Sequence, residues 1–108
     1  MAYAGGSNDG TLNGTSEVTL VAAPGANTTR TLAYLSIFNA DTAAVTVTIK
    51  FANDAARRVL VKATLAVGQS LPYKYPVVME ATTKSIIAIM SGAAATTNPA
   101  FYASYGDI

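Results

Sequence analysis

Val45-Thr46-Val47-Thr48-Ile49-Lys50-Phe51 alternates apolar and polar side chains without a break. A β-strand turns successive side chains to opposite faces, so the stretch sets Val45, Val47, Ile49 and Phe51 on one side and Thr46, Thr48 and Lys50 on the other. One side is expected to be core and the other wet. A few residues on, Val59, Val61, Ala63 and Leu65 alternate with Arg58, Leu60, Lys62 and Thr64. The intervening residues 52–57 suit a hairpin or a meander, which predicts that the two strands pair.

The same pattern runs outward in both directions. Short runs rich in Val, Ile, Thr, Tyr and Phe predict strands near 17–23, 31–39, 45–51, 58–65, 70–75, 85–90 and 99–105. Pro24-Gly25, Asn39-Ala40-Asp41, Asn53-Asp54 and Gly68-Gln69 separate them, each supplying a fixed φ, a tolerated left-handed residue or a local side-chain cap. Apolar spacing at i, i+3, i+4 and i+7 is nowhere sustained, and Ala93-Ala94-Ala95 reads as loop. The fold class is therefore all-β, a small antiparallel β-sandwich of jelly-roll type over residues 17–108. Residues 1–16 hold Gly5, Gly6, Gly10 and Gly14 among Ser, Asn and Thr. Such a composition buries too little apolar area to offset ordering entropy, so a flexible N-terminal arm is expected, with Tyr3 and Leu12 as apolar anchors for a partner.

Two runs are apolar on both faces: Leu32, Tyr34 and Phe38 against Leu35 and Ile37, and Ile87 and Ile89 against Ile86 and Met90. A sheet with one wet face does not produce this pattern. These strands either lie centrally under loops or bury a second face against another subunit. A chain of 108 residues has little to cover both sheets from outside, which favours the subunit. Ala supplies 21 of the apolar residues, so the core is thin and assembly contacts would help it.

Composition excludes most chemistry. Without Cys or His there is no disulfide, thiolate site or histidine-based hydrolytic triad, and no enzyme, cofactor or metal is expected. Asp9, Glu17, Asp41, Asp54, Glu80 and Asp107 are the carboxylates, and Asp41 and Asp54 stand in turns where Asp caps backbone. Asn8-Asp9-Gly10 begins like a calcium loop, but no carboxylate follows at ligand spacing before Glu17, which leaves a flexible turn. A net charge of +1 with 12% charged residues disfavours nucleic-acid binding. Residues 1–16 lack the basic start and apolar run of a secretory signal, and no apolar run approaches the roughly 18 residues of a membrane span. Synthesis in a cytoplasm without secretion is the expectation. Arg57, Arg58 and Lys62 on one hairpin, with Lys74 between Tyr73 and Tyr75, form the only basic and aromatic grouping. It reads as an edge strand kept soluble by charge, against a sugar- or single-strand-binding surface.

Residues 18–89 resemble the small β-sandwich virion proteins of tailed bacteriophages, a group of capsid decoration (cement) and neck or tail accessory proteins. The likeness runs from Leu35-Ser36-Ile37-Phe38-Asn39 through a turn to Val45-Thr46-Val47-Thr48-Ile49. It continues in Thr64-Leu65-Ala66-Val67-Gly68-Gln69-Ser70-Leu71 and in Pro76-Val77-Val78-Met79-Glu80-Ala81 leading to Ser85-Ile86-Ile87-Ala88. Related chains show Gly-Asp where this one has Ala81-Thr82-Thr83-Lys84, which alters that turn. The resemblance implies a non-enzymatic virion component, with the major capsid protein, other virion proteins and further copies of itself as partners. It fits a cement protein on the shell, or a neck, tail or fibre-base component.

Overall fold

The computed structural model describes residues 4–108, which form nine strands and no helix. They are β1 (Ala4–Thr11), β2 (Val18–Val21), β3 (Arg30–Phe38), β4 (Val45–Asn53), β5 (Ala56–Leu65), β6 (Ser70–Tyr73), β7 (Val78–Met79), β8 (Lys84–Met90) and β9 (Ala100–Asp107). Sheet one has the order β1-β9-β3-β6, with β7 also pairing β3, and sheet two the order β2-β8-β4-β5. All pairings are antiparallel. Placing the first and last strands side by side in one sheet, and the second beside the penultimate in the other, is the winding of a jelly roll.

The interior is filled from both sheets by Leu32, Leu35, Ile37, Phe101 and Ala103 on one side and Leu20, Val47, Ile49, Ile86 and Ala88 on the other. The opening heptapeptide is β4, and Val45, Val47 and Ile49 are buried as its alternation requires. Phe51 is half-buried against the same core. The opposite side is drier than expected. Thr48 is only 9% exposed, because β4 is flanked on both sides and Thr48 stands between Ile89 and Lys62.

Three bulges shift strand phase, and the one in β3 accounts for part of its apolar run on both faces; β8 has none, and its outward Ile87 is covered by neighbours in the sheet. The register skips Leu20 in β2, Ala33 in β3 and Leu60 in β5. An extra residue on one strand flips the phase of everything after it. Leu32 therefore faces inward together with Leu35 and Ile37, although its parity differs from theirs. The bulge at Leu60 likewise sets Val59 opposite Lys50, on the outer face, 62% exposed.

The expectation of a flexible arm is corrected. Residues 4–11 are β1, paired along their whole length with β9. Main-chain pairing needs no side chains, and here the glycines are what permits it. A Cβ on Gly6 would lie 2.6 Å from Cζ of Tyr105, and one on Gly10 would lie 3.2 Å from Cε2 of Phe101. Gly6 pairs with Tyr105 and Gly10 with Phe101, so the rings of β9 pack over the bare backbone of β1. Between them Asn8 donates from Nδ2 to the Leu20 carbonyl, 3.0 Å, tying β1 to sheet two.

Candidate functional site

Two polar clusters hold the ends of β3. At its start, Arg30 makes a bidentate pair with Asp107, Nε–Oδ1 2.8 Å and Nη2–Oδ2 3.0 Å. It also donates from Nη1 to the Ala22 carbonyl and lies 4.1 Å from the Tyr105 ring centroid. The pairing lowers the Asp107 pKa and raises that of Arg30. Just past the other end, Asn39 and Asp41 are 1% and 3% exposed. Asn39 Nδ2 donates to the carbonyls of Ala43, Leu65 and Ala66, and its Oδ1 accepts from the Asp41 amide. Asp41 accepts from the amides of Ala95, Thr96, Thr97 and Thr42 and from the Thr96 hydroxyl, at 2.8–3.1 Å.

These amide bonds, those of Ala95 and Thr96 foremost, hold the Asp41 carboxyl well below the usual carboxylate range. Asp41 is a cap, as its turn context suggests, but it fastens the loop 91–99, more than fifty residues away, and not only its own turn. The Asn39 contacts also join two stretches of the phage-like pattern, the Asn39 turn and the Leu65–Gly68 corner.

None of this resembles a reactive centre. Glu17 pairs with Arg57, Glu80 with Lys84 and Asp107 with Arg30. Among the described residues no group of three or more His, Cys, Asp or Glu is placed to hold a metal. A cavity of about 190 Å³ between β4 and β8 is lined by Ala44, Val45, Thr46, Met90, Ser91, Gly92 and Ala93, without a charged side chain.

The interaction residues expected from sequence scatter. Tyr3 lies outside the described residues. Leu12 is no free anchor: it is 1% exposed in the domain's own core, its amide bonded to the Pro99 carbonyl. Arg57 and Arg58 lie exposed on β5, an edge strand, and Arg57 is held by Glu17, Nη2–Oε1 3.1 Å. Tyr73 packs against the core, which leaves Tyr75, 71% exposed and edge-on to it at 5.4 Å, without a parallel stacking partner. Lys74 between them is exposed.

A surface that the sequence marks in part, through the second apolar face of β3, is the outer face of sheet one. Leu35, Ile37, Phe101 and Ala103 point inward, so Tyr34, Ser36, Phe38, Tyr102 and Ser104 point outward. Tyr102 stands opposite Ser36, with Tyr34 and Phe38 as its diagonal neighbours and Pro72 beyond Ser36. Phe38 is 43% and Tyr102 45% exposed. Asp9, opposite Tyr102, is the one charged residue of this face among the described strands.

With that geometry in place, comparison with solved structures is informative. The chain is similar over 98% of its length, at 14% identity and a TM-score of 0.57, to 85% of a protein of Bacillus endospore appendages, which form disulfide-linked pili. The likeness is one of fold. Two infectious bursal disease virus structures match 97–98% of this chain with TM-scores of 0.52 and 0.53 and 10% and 11% identity. The chain spans only 30% of each of those viral proteins. These neighbours are pilus and virus-particle proteins, not tailed-phage proteins in particular. No family profile and no curated protein sequence matches the chain.

Proposed function

We propose that this chain is a non-enzymatic structural subunit of a bacteriophage particle, a decoration protein that stabilises the capsid by bridging its subunits. The uncovered aromatic face of sheet one carries this reading. Tyr34, Phe38 and Tyr102 stand together on a strand face with one charged residue, Asp9, while Val59, Val67, Tyr75, Val78 and Ile108 are the other large apolar side chains left exposed among the described residues. Burying an aromatic side chain contributes roughly 1.5–3 kcal/mol, so seating this face on a shell supplies binding energy without a deep pocket. The phage-like strand and turn pattern points to the tailed-phage particle, and the jelly-roll winding is one that capsid proteins use.

The test is to add purified protein to assembled shells that lack it and measure copies bound. Wild type is expected to bind at a fixed ratio to the major capsid protein. Phe38→Ser with Tyr102→Ser is expected to keep its melting point and lose binding. Undiminished binding by that variant overturns the assignment of the face. A fibre subunit is the second reading, favoured by the match to most of a pilus protein. Such a fibre would have to form without disulfides, since this chain has no Cys. Filaments from the purified protein alone would identify it.

A further inference from the structure

We propose that β1 is an exchangeable strand: in assemblies of this chain, β1 of one copy occupies the place beside β9 of the next copy that it occupies beside its own β9 in the closed form. The proposal deepens the assembly reading above by naming the contact between copies.

The first ground is that β1 is attached by its backbone and hardly by its side chains. Seven of its eight residues are exposed and Gly6 is half-buried. None of the eight belongs to the core cluster. Lifting β1 away, with Leu12 and the Asn8–Leu20 bond, empties one core site and bares the hydrogen-bonding edge of β9, and a neighbour's β1 and Leu12 can restore both without new chemistry.

The second ground is that this edge is selective. The Tyr105 ring occupies the space of a Cβ at position 6, with Cζ at 2.6 Å and the hydroxyl oxygen at 2.7 Å, and the Phe101 ring crowds position 10 at 3.2 Å. A flexible ring would yield, but Tyr105 has the Arg30 guanidinium 4.1 Å from its centroid, and Arg30 is itself held by both oxygens of Asp107. The edge therefore accepts a strand with glycine at position 6 and favours a small residue at position 10 in this register. β1, with Gly6 and Gly10, is such a strand, so the occupant is β1 from the same or another copy, not an arbitrary strand of a partner protein.

The third ground is the connection. Residues 13–16 make a tight turn, with the Ser16 amide bonded to the Asn13 carbonyl at 3.0 Å and Gly14 at φ 53°. Straightening this turn breaks the bonds of Gly14 to the Met90 amide and to Asn98 Oδ1 and carries β1 and Leu12 away as a unit, and Leu12 then enters the equivalent core site of the neighbour. The closed and exchanged forms make the same strand contacts, so concentration and the turn decide between them.

The chain's lack of Cys allows a clean test with the full-length protein. Ser7 and Ser104 are directly opposite in the β1–β9 register and both point outward. A Ser7→Cys chain is mixed with a Ser104→Cys chain, concentrated and oxidised. A closed chain of either kind carries one thiol and cannot link within itself. A covalent heterodimer, absent when either chain is treated alone, is the expected result, and it should be lost when Gly6→Val is added to the Ser7→Cys chain. Absence of the heterodimer at every concentration overturns the proposal, as does a heterodimer that Gly6→Val leaves undiminished. Shell binding that persists without the heterodimer would sink the exchange alone and leave the decoration role standing.

Discussion

Ile87 and Tyr102 both point away from the core, one from each sheet, yet Ile87 is 4% exposed and Tyr102 45%. Their neighbours make the difference. Ile87 lies between Thr19 and Lys50 in the register of sheet two. On the same outer face Glu17, just before β2, reaches Arg57 on β5, so an ion pair joins the two edges of that sheet across β8 and β4. Long amphipathic side chains cover apolar surface with their stems and keep their charges wet. Tyr102 has Ser36 and Asp9 opposite it and Ser104 two residues on. Those side chains are too short to cover a ring. The centre of one face covers itself, although Val59 on its edge strand stays exposed, and the centre of the other is left for something else to cover.

The largest expected effect tests whether inner and outer faces are correctly divided. Ile49→Ala should destabilise the domain by about 2–5 kcal/mol in chemical denaturation, because it empties a fully buried site. Thr48→Ala, next to it but on the outer face, should cost less than about 1 kcal/mol. Equal losses at the two positions would break the division.

The comparison of faces also requires the turns at the Asn39 end to stay fixed, which Asp41 secures. Its folded pKa lies below its unfolded one, so its stabilisation is complete above the unfolded value near 4 and is lost as pH falls toward the folded value. Thermal melts should therefore be flat from neutral pH down to about 5 and then fall steeply. Asp41→Asn should lower the melting point at neutral pH and flatten the acid limb. An unchanged acid limb would show that other carboxylates govern it.

A sharper test gives sheet one the cover that it lacks. Ser36→Lys places a long stem between Tyr34, Phe38 and Tyr102 and should weaken shell binding by about tenfold or more, the equivalent of roughly 1.4 kcal/mol. The melting point should hardly move. The smallest effect is expected on the other face. Glu17→Gln removes an exposed ion pair and should leave both melting point and shell binding close to wild type, because such pairs contribute little. Loss of binding there, with Ser36→Lys silent, would reverse the roles of the faces.

Much of the fold follows from local pattern. The β4–β5 hairpin, the turns and seven strands are each encoded within a dozen residues, by alternation and by Asn, Asp and Gly at the bends. The remainder depends on distant partners. β1 looks like a linker because its strand character resides in Phe101 and Tyr105, about a hundred residues on. The clue is a matched spacing of four, Gly6 to Gly10 against Phe101 to Tyr105. The bulges at Leu20, Ala33 and Leu60 leave no mark except apolar residues of both parities, which reads equally well as a strand buried on two sides. Phe38 is legible as part of a second apolar face on β3, whereas Tyr102 joins it only through the β3–β9 register. Leu12 was misplaced because a lone apolar residue in a polar segment does not reveal which core receives it.

The adjacency of β1 and β9 also orders events during synthesis. Sheet two can assemble once β8 has emerged from the ribosome, since β2, β4, β5 and β8 complete it. Sheet one cannot, because β9 lies between β1 and β3 and is made after the other eight strands. At elongation rates of roughly 5–20 residues per second, β1 spends several seconds in the open before its partner exists. Its low apolar content, with Ser, Asn and Asp between the glycines, keeps it from sticking to other nascent chains during that interval. The composition that disguises β1 as a linker thus lets an early-made strand wait safely for a late-made one.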